Sequence, residues 1–322
     1  MRVCVLAPDP SEPFDAAPVR ALEAAGATVE LRTVPLRGGY YRSSLRPLLT
    51  LSCDPRTATL ATGPRTTLRG TRATIFLDPM AAYEFGGRFR RLADRSLARL
   101  ALSRVRRAGA LTLSTALWLD PQQRKLRKVG FGIPDAYRPD TRSRPRSLVW
   151  VGRATGPKRP ELFLELLRRH PELSGTMRCT FAPVWPQVHA RTLTLARSLP
   201  NVALVTEPQG EAQIVDLYRS ARIVLATSAP GSEGLHLPPL EGYFCGARPV
   251  VPFSEPYIEV FHNCPDVRFY ADPALPRDPF LPSLDEAVGR ALAEPAPLPD
   301  PAFREFWSMA KFGERLLELV SE

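Results

Sequence analysis

Two carboxylates and two cations are the residues of this chain whose type and spacing suit chemistry. Glu233 and Glu241 lie in Ser228-Ala-Pro-Gly-Ser-Glu-Gly-Leu-His-Leu-Pro-Pro-Leu-Glu241, a segment that leaves a strand, crosses a loop and enters a helix near Pro238. Proline suits a first helical turn, and the free N–H groups there favour an anion. Each carboxylate taken alone can also be a partner of the helix dipole. A second cluster, Val151-Gly-Arg-Ala-Thr-Gly-Pro-Lys-Arg159, follows another strand; its glycines let the backbone turn tightly, so Arg153 and Lys158 can face a phosphate. Lys158 is one of four lysines among 43 basic residues, an ammonium kept where arginine is the rule, which points to a need for a compact charge. Metal chemistry finds no such pattern. The four histidines, His170, His189, His236 and His262, are scattered, and Cys4, Cys53, Cys179, Cys245 and Cys264 form no Cys-x-x-Cys pair, so neither a zinc site nor a disulfide framework is expected. The cysteines are expected to be reduced and mostly buried.

The elements that must position these groups follow a βα rhythm. With 322 residues, 44% of them hydrophobic, the chain can bury a full core and divide into two domains, which excludes a disordered, collagenous or small disulfide-stapled protein. From Ser147 onward strands are expected over 147–151, 177–181, 201–205, 222–226 and 249–251, with helices over 161–170, 187–199, 211–220 and 238–245. Runs such as Ile223-Val-Leu225 are apolar without alternation, as in strands covered on both faces. That is a doubly wound sheet, whose ligands sit at the carboxyl ends of the strands. The first half reads as a shorter version, with strands over 2–7, 28–33 and 74–77 and a helix over 18–25; residues 36–72 give no clear pattern.

Charge separates the halves. Residues 1–145 hold 25 Lys plus Arg against 12 Asp plus Glu, whereas residues 146–322 hold 18 against 21. A compositional bias explains the choice of arginine over lysine but not the shortage of acids, so the first half is expected to face an anionic partner. Residues 88–107 carry Phe89, Leu92, Leu97, Leu100 and Val105 on one side and Arg88, Arg91, Arg95, Arg99 and Arg106 on another. Such a stripe is either the solvated face of a packed helix or a contact with an anionic or membrane surface. No run approaches the roughly 20 apolar residues that span a bilayer, and the apolar run in Met1 to Ala7 is too short for a signal-peptide core. The expectation is a soluble, cytoplasmic protein, with a peripheral contact at the inner membrane surface as the alternative.

In order and spacing, Val151-Gly-Arg153, Lys158, Asp216-Leu-Tyr-Arg-Ser-Ala-Arg-Ile-Val-Leu225, Glu233-Gly-Leu-His-Leu-Pro-Pro-Leu-Glu241 and Gly246-Ala-Arg-Pro-Val-Val251 resemble the carboxyl-terminal domain of GT-B fold glycosyltransferases, the retaining family 4 type with a Glu-x7-Glu motif. Gly132-Ile-Pro-Asp-Ala-Tyr-Arg-Pro139 looks like the family's hinge-proximal segment, and Phe306-Trp307 with Phe312 to Val320 like its final helix. The resemblance implies an α/β GT-B fold, two Rossmann-like doubly wound domains facing a central cleft: an acceptor-binding domain over 1–145, a donor-binding domain over 146–300 and a helix over 301–322 crossing back to the first. It also implies roles. Arg153 and Lys158, with Gly152 between strand and loop, would neutralise the diphosphate of a nucleotide sugar as it leaves, without a metal or other cofactor. Glu241 would accept hydrogen bonds from the ribose hydroxyls and Glu233 would lie near those of the sugar. The amides of Gly234, Leu235 and His236, with Leu237, would lie at the helix start close to phosphate or sugar. His236 replaces a residue that is often small or aromatic, and contact with the sugar and mere filling of space both remain open. Backbone groups near Thr206 to Gln209 are candidates for base recognition.

The departures are in the first half. Where the family commonly has a Gly-Gly loop, this chain reads Pro8-Asp-Pro-Ser-Glu-Pro-Phe-Asp15, and Gly38-Gly39 comes too late to replace it. Where a histidine is often found, it has Asp78-Pro79; Asp78 is either an acceptor-orienting or proton-accepting carboxylate or a turn aspartate before proline. The leading expectation is a metal-independent retaining transferase using a UDP- or GDP-sugar. Its acceptor is expected to be anionic, a lipid phosphate or membrane glycan first and nucleic acid second, the latter supported by charge alone. The alternatives are a sugar-nucleotide epimerase or phosphorylase of the same shape, and a non-catalytic nucleotide-sugar-binding module.

Overall fold

The computed structural model describes residues 1–7, 13–34, 58–62, 67, 71–76, 88–122, 124–141, 144, 146–180, 185–276 and 278–321. They form two compact units, Met1–Pro134 with Ala302–Glu322, and Asp135–Pro301. The division falls at Pro134 rather than at residue 145, and hydrogen bonds give the reason. Arg144 donates to the carbonyls of Ala221 (2.9 Å) and Cys245 (3.0 Å), while Arg219 donates to those of Arg138 (2.8 Å) and Ala136 (3.0 Å), which ties the expected linker to the second unit.

In the first unit, β1 (Arg2–Ala7), β2 (Thr28–Thr33), β3 (Thr59–Ala61), β4 (Ala73–Phe76), β5 (Arg107–Ala110) and β6 (Leu126–Lys128) form a parallel sheet in the order β2-β1-β3-β4-β5-β6. Val3, Val5 and Leu6 of β1 are fully buried, as in a strand covered on both faces. Around the sheet lie α1 (Pro13–Ala24), α2 (Arg88–Arg104), α3 (Leu113–Leu119), α10 (Pro301–Phe306) and α11 (Met309–Ser321). The stripe expected over 88–107 is a helix that ends three residues early and buries a different face. The helix stops at Arg104, Arg107 opens β5, and Leu100 is exposed beside Arg99; the buried face is Leu97, Ala98, Ala101 and Leu102. Helix α11 packs on α1 at backbone contact: a Cβ on Gly313 would lie 1.9 Å from the Ala21 carbonyl oxygen.

The second unit contains β7 (Arg146–Arg153), α4 (Pro160–Arg169), β8 (Gly175–Thr180), α5 (Pro186–Ser198), β9 (Val202–Val205), α6 (Glu211–Arg219), β10 (Ala221–Leu225), α7 (Leu237–Phe244), β11 (Arg248–Pro252), α8 (Tyr257–Phe261), β12 (Arg268–Tyr270) and α9 (Leu284–Ala293). Its strands are parallel in the order β12-β11-β10-β7-β8-β9. The chain runs outward from β7 to β9, then returns to place β10 on the other side of β7. The carboxyl ends of β7 and β10 therefore flank the point where strand order reverses, the place where open α/β sheets bind ligands. Trp150, Phe163, Leu166, Leu167, Met177 and Ile223, all under 2% exposed, make the core that holds these strands against their helices.

Among the described residues no helix is long and apolar enough to cross a membrane, and Cys4, Cys179, Cys245 and Cys264 are buried. Helix α7 approaches β10 so closely that a Cβ on Gly242 would lie 2.7 Å from Val224 Cγ1. Gly242→Ala is expected to cost about 1–3 kcal/mol by overpacking, seen as a lower urea midpoint with an unchanged slope.

Candidate functional site

The site is built from the loops at the ends of β7 and β10. Strand β7 ends in Gly152 and Arg153, and the chain then turns through Thr155 to Lys158, whose amide donates to the Thr155 carbonyl at 3.1 Å. The loop after β10 is stitched to this turn. The Ala229 amide donates to the Pro157 carbonyl (2.7 Å), the Thr227 hydroxyl to the Lys158 carbonyl (2.6 Å), and the Trp150 indole to the Thr227 hydroxyl (2.9 Å). Two segments far apart in sequence thus share one hydrogen-bonded floor.

On that floor Lys158 Nζ donates to Glu233 Oε1 at 2.6 Å, and the side chains are only 11% and 8% exposed. The Ser228 hydroxyl donates to the same oxygen at 2.7 Å. Burial pushes the Glu233 carboxyl up, but the Lys158 charge, His236 and the hydrogen bonds from Lys158 and Ser228 outweigh it and hold the group below its usual range. Glu233 is therefore an ionised carboxylate at neutral pH.

Glu241 lies one turn into α7, with Tyr218 of α6 donating to its Oε2 at 2.9 Å. Its environment differs from that of Glu233. Burial dominates and pushes the carboxyl up to about 7; the Tyr218 bond and Arg178 lower it and Glu211 raises it. His236 occupies the N-cap position of α7 without a side-chain capping bond. Its Nδ1 is 2.7 Å from the Tyr257 hydroxyl, and its Nε2 is buried with no hydrogen bond among the described residues. Burial, helped by Lys158 and opposed by Glu233, drives its pKa down to about 3, so the ring is neutral near pH 7.

Gly234 and Leu235 are buried in the approach to α7, Leu237 opens the helix, and Arg153 is partly exposed at the end of β7. The first amides of a helix have no partner within it, so this end is open to an acceptor. Gly152 packs beside the Trp150 ring and the Lys158 stem. Thr206 to Gln209 form a mostly exposed loop between β9 and α6. Asp78, Pro8 to Glu12 and Gly38-Gly39 lie outside the described residues. Among the described residues no three His, Cys, Asp or Glu side chains are grouped to hold a metal ion.

Sequence reasoning missed three residues of this arrangement. Ser228 and Tyr218 lay within segments already singled out, but nothing in their local pattern marked them. Tyr257 had no signal at all, because its element was not expected.

No family model and no curated protein matches the chain in sequence. Solved structures match it along its whole length. Sucrose-phosphate synthase from Thermosynechococcus elongatus is similar with a TM-score of 0.69 at 14% identity, over 100% of this chain and 94% of that one. Anabaena HepE in complex with UDP-glucose gives 0.68 at 10% identity, over 100% and 99%. The lipopolysaccharide outer core galactosyltransferase WaaB gives 0.64 at 10% identity, over 100% and 99%. Together with the two parallel sheets, these likenesses define the class: the chain has the GT-B fold, built from two Rossmann-like domains.

Glu241 makes a pH signature. A carboxyl that titrates near 4.5 when unfolded and at about 7 when folded contributes stability that is complete below about pH 4.5 and is lost as pH rises through 7. His236 acts in the opposite sense, losing stability as pH falls from 6.5 toward 3. Comparison of Glu241→Gln with the parent isolates the first effect. The parent's unfolding free energy is expected to fall relative to the variant's by roughly 3 kcal/mol between pH 4.5 and 7.5, measured by urea titration across pH.

Proposed function

We propose that this protein is a glycosyltransferase of the retaining family 4 type, moving a sugar from a nucleoside diphosphate to an acceptor hydroxyl. The observation that carries this reading is the contact of Lys158 with Glu233 at the topological switch point: it joins the two sequence clusters into one site with cation, carboxylate and helix amides together. HepE, similar in fold, is a protein bound to UDP and UDP-glucose, which favours a uridine donor here and leaves GDP-sugars as the comparison.

In this reading Arg153 and Lys158 supply positive charge where the diphosphate gains negative charge, so the residues themselves do what a metal would do elsewhere. Glu233, held ionised, keeps one oxygen on Lys158 and Ser228 and offers the other to a donor-sugar hydroxyl. Glu241 takes the ribose diol, and the amides from Gly234 to Leu237 face phosphate or sugar. The bond from the anomeric carbon to the diphosphate oxygen breaks, a bond to the acceptor oxygen forms on the same face, and the acceptor's proton leaves with the diphosphate. Asp78 is the candidate on the acceptor side. The basic excess of residues 1–145, with Arg99 and Leu100 exposed on α2 and Leu113 and Leu117 on α3, supports an anionic acceptor at a membrane surface.

The test is thermal stabilisation by UDP, GDP, ADP and their sugars. One base is expected to raise the midpoint by several degrees at a hundredfold excess over Kd, the equivalent of about 2.7 kcal/mol, and Glu241→Ala to weaken that shift. No response to any nucleotide at millimolar concentration overturns the donor site. Glu233→Gln is expected to abolish transfer, and full activity in that variant removes Glu233 from the chemistry. For the acceptor, sedimentation with anionic vesicles is expected to exceed that with neutral ones and to weaken as salt rises. Retention on DNA without vesicle binding reverses the order of the two acceptors.

A further inference from the structure

Arg159 is the one non-glycine residue, among those described, with a left-handed backbone, at φ 45° and ψ 55°. Two features oppose that conformation. Its Cβ crowds the following carbonyl, and it precedes Pro160, whose ring steers the residue before it toward extended backbone. Helix α4 does not require it, since Arg159 stands at the N-cap and makes no side-chain capping bond; a glycine would adopt the same backbone freely. A strained residue held beside a site points to what its side chain does there.

The guanidinium answers that question. Its Nε donates to the Thr227 carbonyl (2.8 Å), Nη2 to the Ser228 carbonyl (3.0 Å), and Nη1 to Asp272 Oδ1 (2.9 Å), while Nη2 also meets Asp272 Oδ2. The Asp272 side chain is fully buried and also accepts the Ala274 amide at 2.8 Å. Burial works against its charge, and the bonds from Arg159 and Ala274 more than offset this. Asp272 lies just past β12, where the Tyr270 hydroxyl donates to the Ala226 carbonyl at 2.9 Å. Three strand ends, those of β7, β10 and β12, are thus tied by one forked side chain.

We propose that Arg159 is a positioning residue for the donor site, an inference that rests on the nucleotide-sugar reading above. It acts on both members of the Lys158 and Glu233 pair. Lys158 is its backbone neighbour, so the left-handed turn sets where the ammonium leaves the chain. Ser228, whose carbonyl Arg159 holds, directs its hydroxyl to Glu233. Removal of the fork leaves two loop carbonyls without that donor and Asp272 with the Ala274 amide, and the loop after β10 loses its tie to β12.

Arg159→Gly separates the roles, because it relieves the backbone while deleting the fork. Titration calorimetry with UDP and with uridine, at a temperature where each protein is fully folded, is expected to show a tenfold or greater loss for the diphosphate and less than a twofold change for the nucleoside. Arg159→Lys, which keeps the charge without the fork, should fall between. A purely structural role would instead weaken both ligands together, and parent-like UDP binding in Arg159→Gly overturns the proposal. Should Arg159→Gly not fold, Arg159→Gln, which also lacks the fork, carries the same expectation. A parent that binds no nucleoside diphosphate defeats the donor-site reading itself, and a ligand-free measurement then decides the positioning role. Acetylation by an N-hydroxysuccinimide ester, followed by peptide mass spectrometry, should find Lys158 protected in the parent relative to Lys311, whose side chain is 38% exposed. Arg159→Gly and Arg159→Gln should label Lys158 at least fivefold faster with Lys311 unchanged, and retained protection of Lys158 in both refutes the role.

Discussion

A lysine and a glutamate, both nearly removed from water, meet at 2.6 Å where the second sheet reverses its strand order. Desolvating two charges costs several kcal/mol each, and their attraction returns that only when the geometry is good and the remaining hydrogen-bonding capacity is met. Here the Ser228 hydroxyl adds a second bond to the same carboxylate oxygen. The balance leaves Glu233 ionised in a place where an isolated carboxylate would take up a proton. Such a pair does little for stability compared with packed apolar residues of similar volume. It keeps a carboxylate charged and fixed in direction at the carboxyl ends of β7 and β10.

The two glutamates show how one helix start supports opposite electrostatics. Glu233 faces a lysine and stays charged, whereas Glu241 faces a tyrosine hydroxyl in a buried setting and titrates at about 7. The same burial acts on both, and the neighbour decides the outcome. His236, between them in sequence, is held neutral and is oriented by Tyr257, with Nε2 buried in the site's interior. The rest of the second unit serves this arrangement: the apolar core fixes β7 and β10, Gly242 lets α7 lie close on β10, and Arg159 binds the loop ends to Asp272 beyond β12.

Much of the second unit was legible because its strands are continuous apolar runs and its helices carry a strong period, so the strands at Ile223 and Val250 and the helix at Glu161 fall within a residue or two of expectation. The first unit was harder to read. Strands β3 and β6 have three residues each, and β5 reads Arg-Ala-Gly-Ala, which carries no β-branched or aromatic residue. These segments are strands because β4 and its neighbours offer them backbone partners, not because their own sequence prefers extension. The stripe over 88–107 ran three residues too far for a related reason: a helical period continues to fit past Arg104, but the pairing of Arg107 with Ala73 ends the helix.

The chain's sequence by itself determined the architecture of the second half, the halves' unequal charge, and the identity of Arg153, Lys158, Glu233 and Glu241 as groups worth placing together. Each of these depends on residues close in sequence, where periodicity, glycine and proline, and composition speak directly. The tertiary structure decided the contacts between remote segments: Lys158 on Glu233, Tyr218 on Glu241, Tyr257 on His236, and Arg159 on Asp272. No local pattern records such pairings, because strand order alone brings the loop ends together. The protonation of each carboxylate is likewise a property of what burial and that order set beside it.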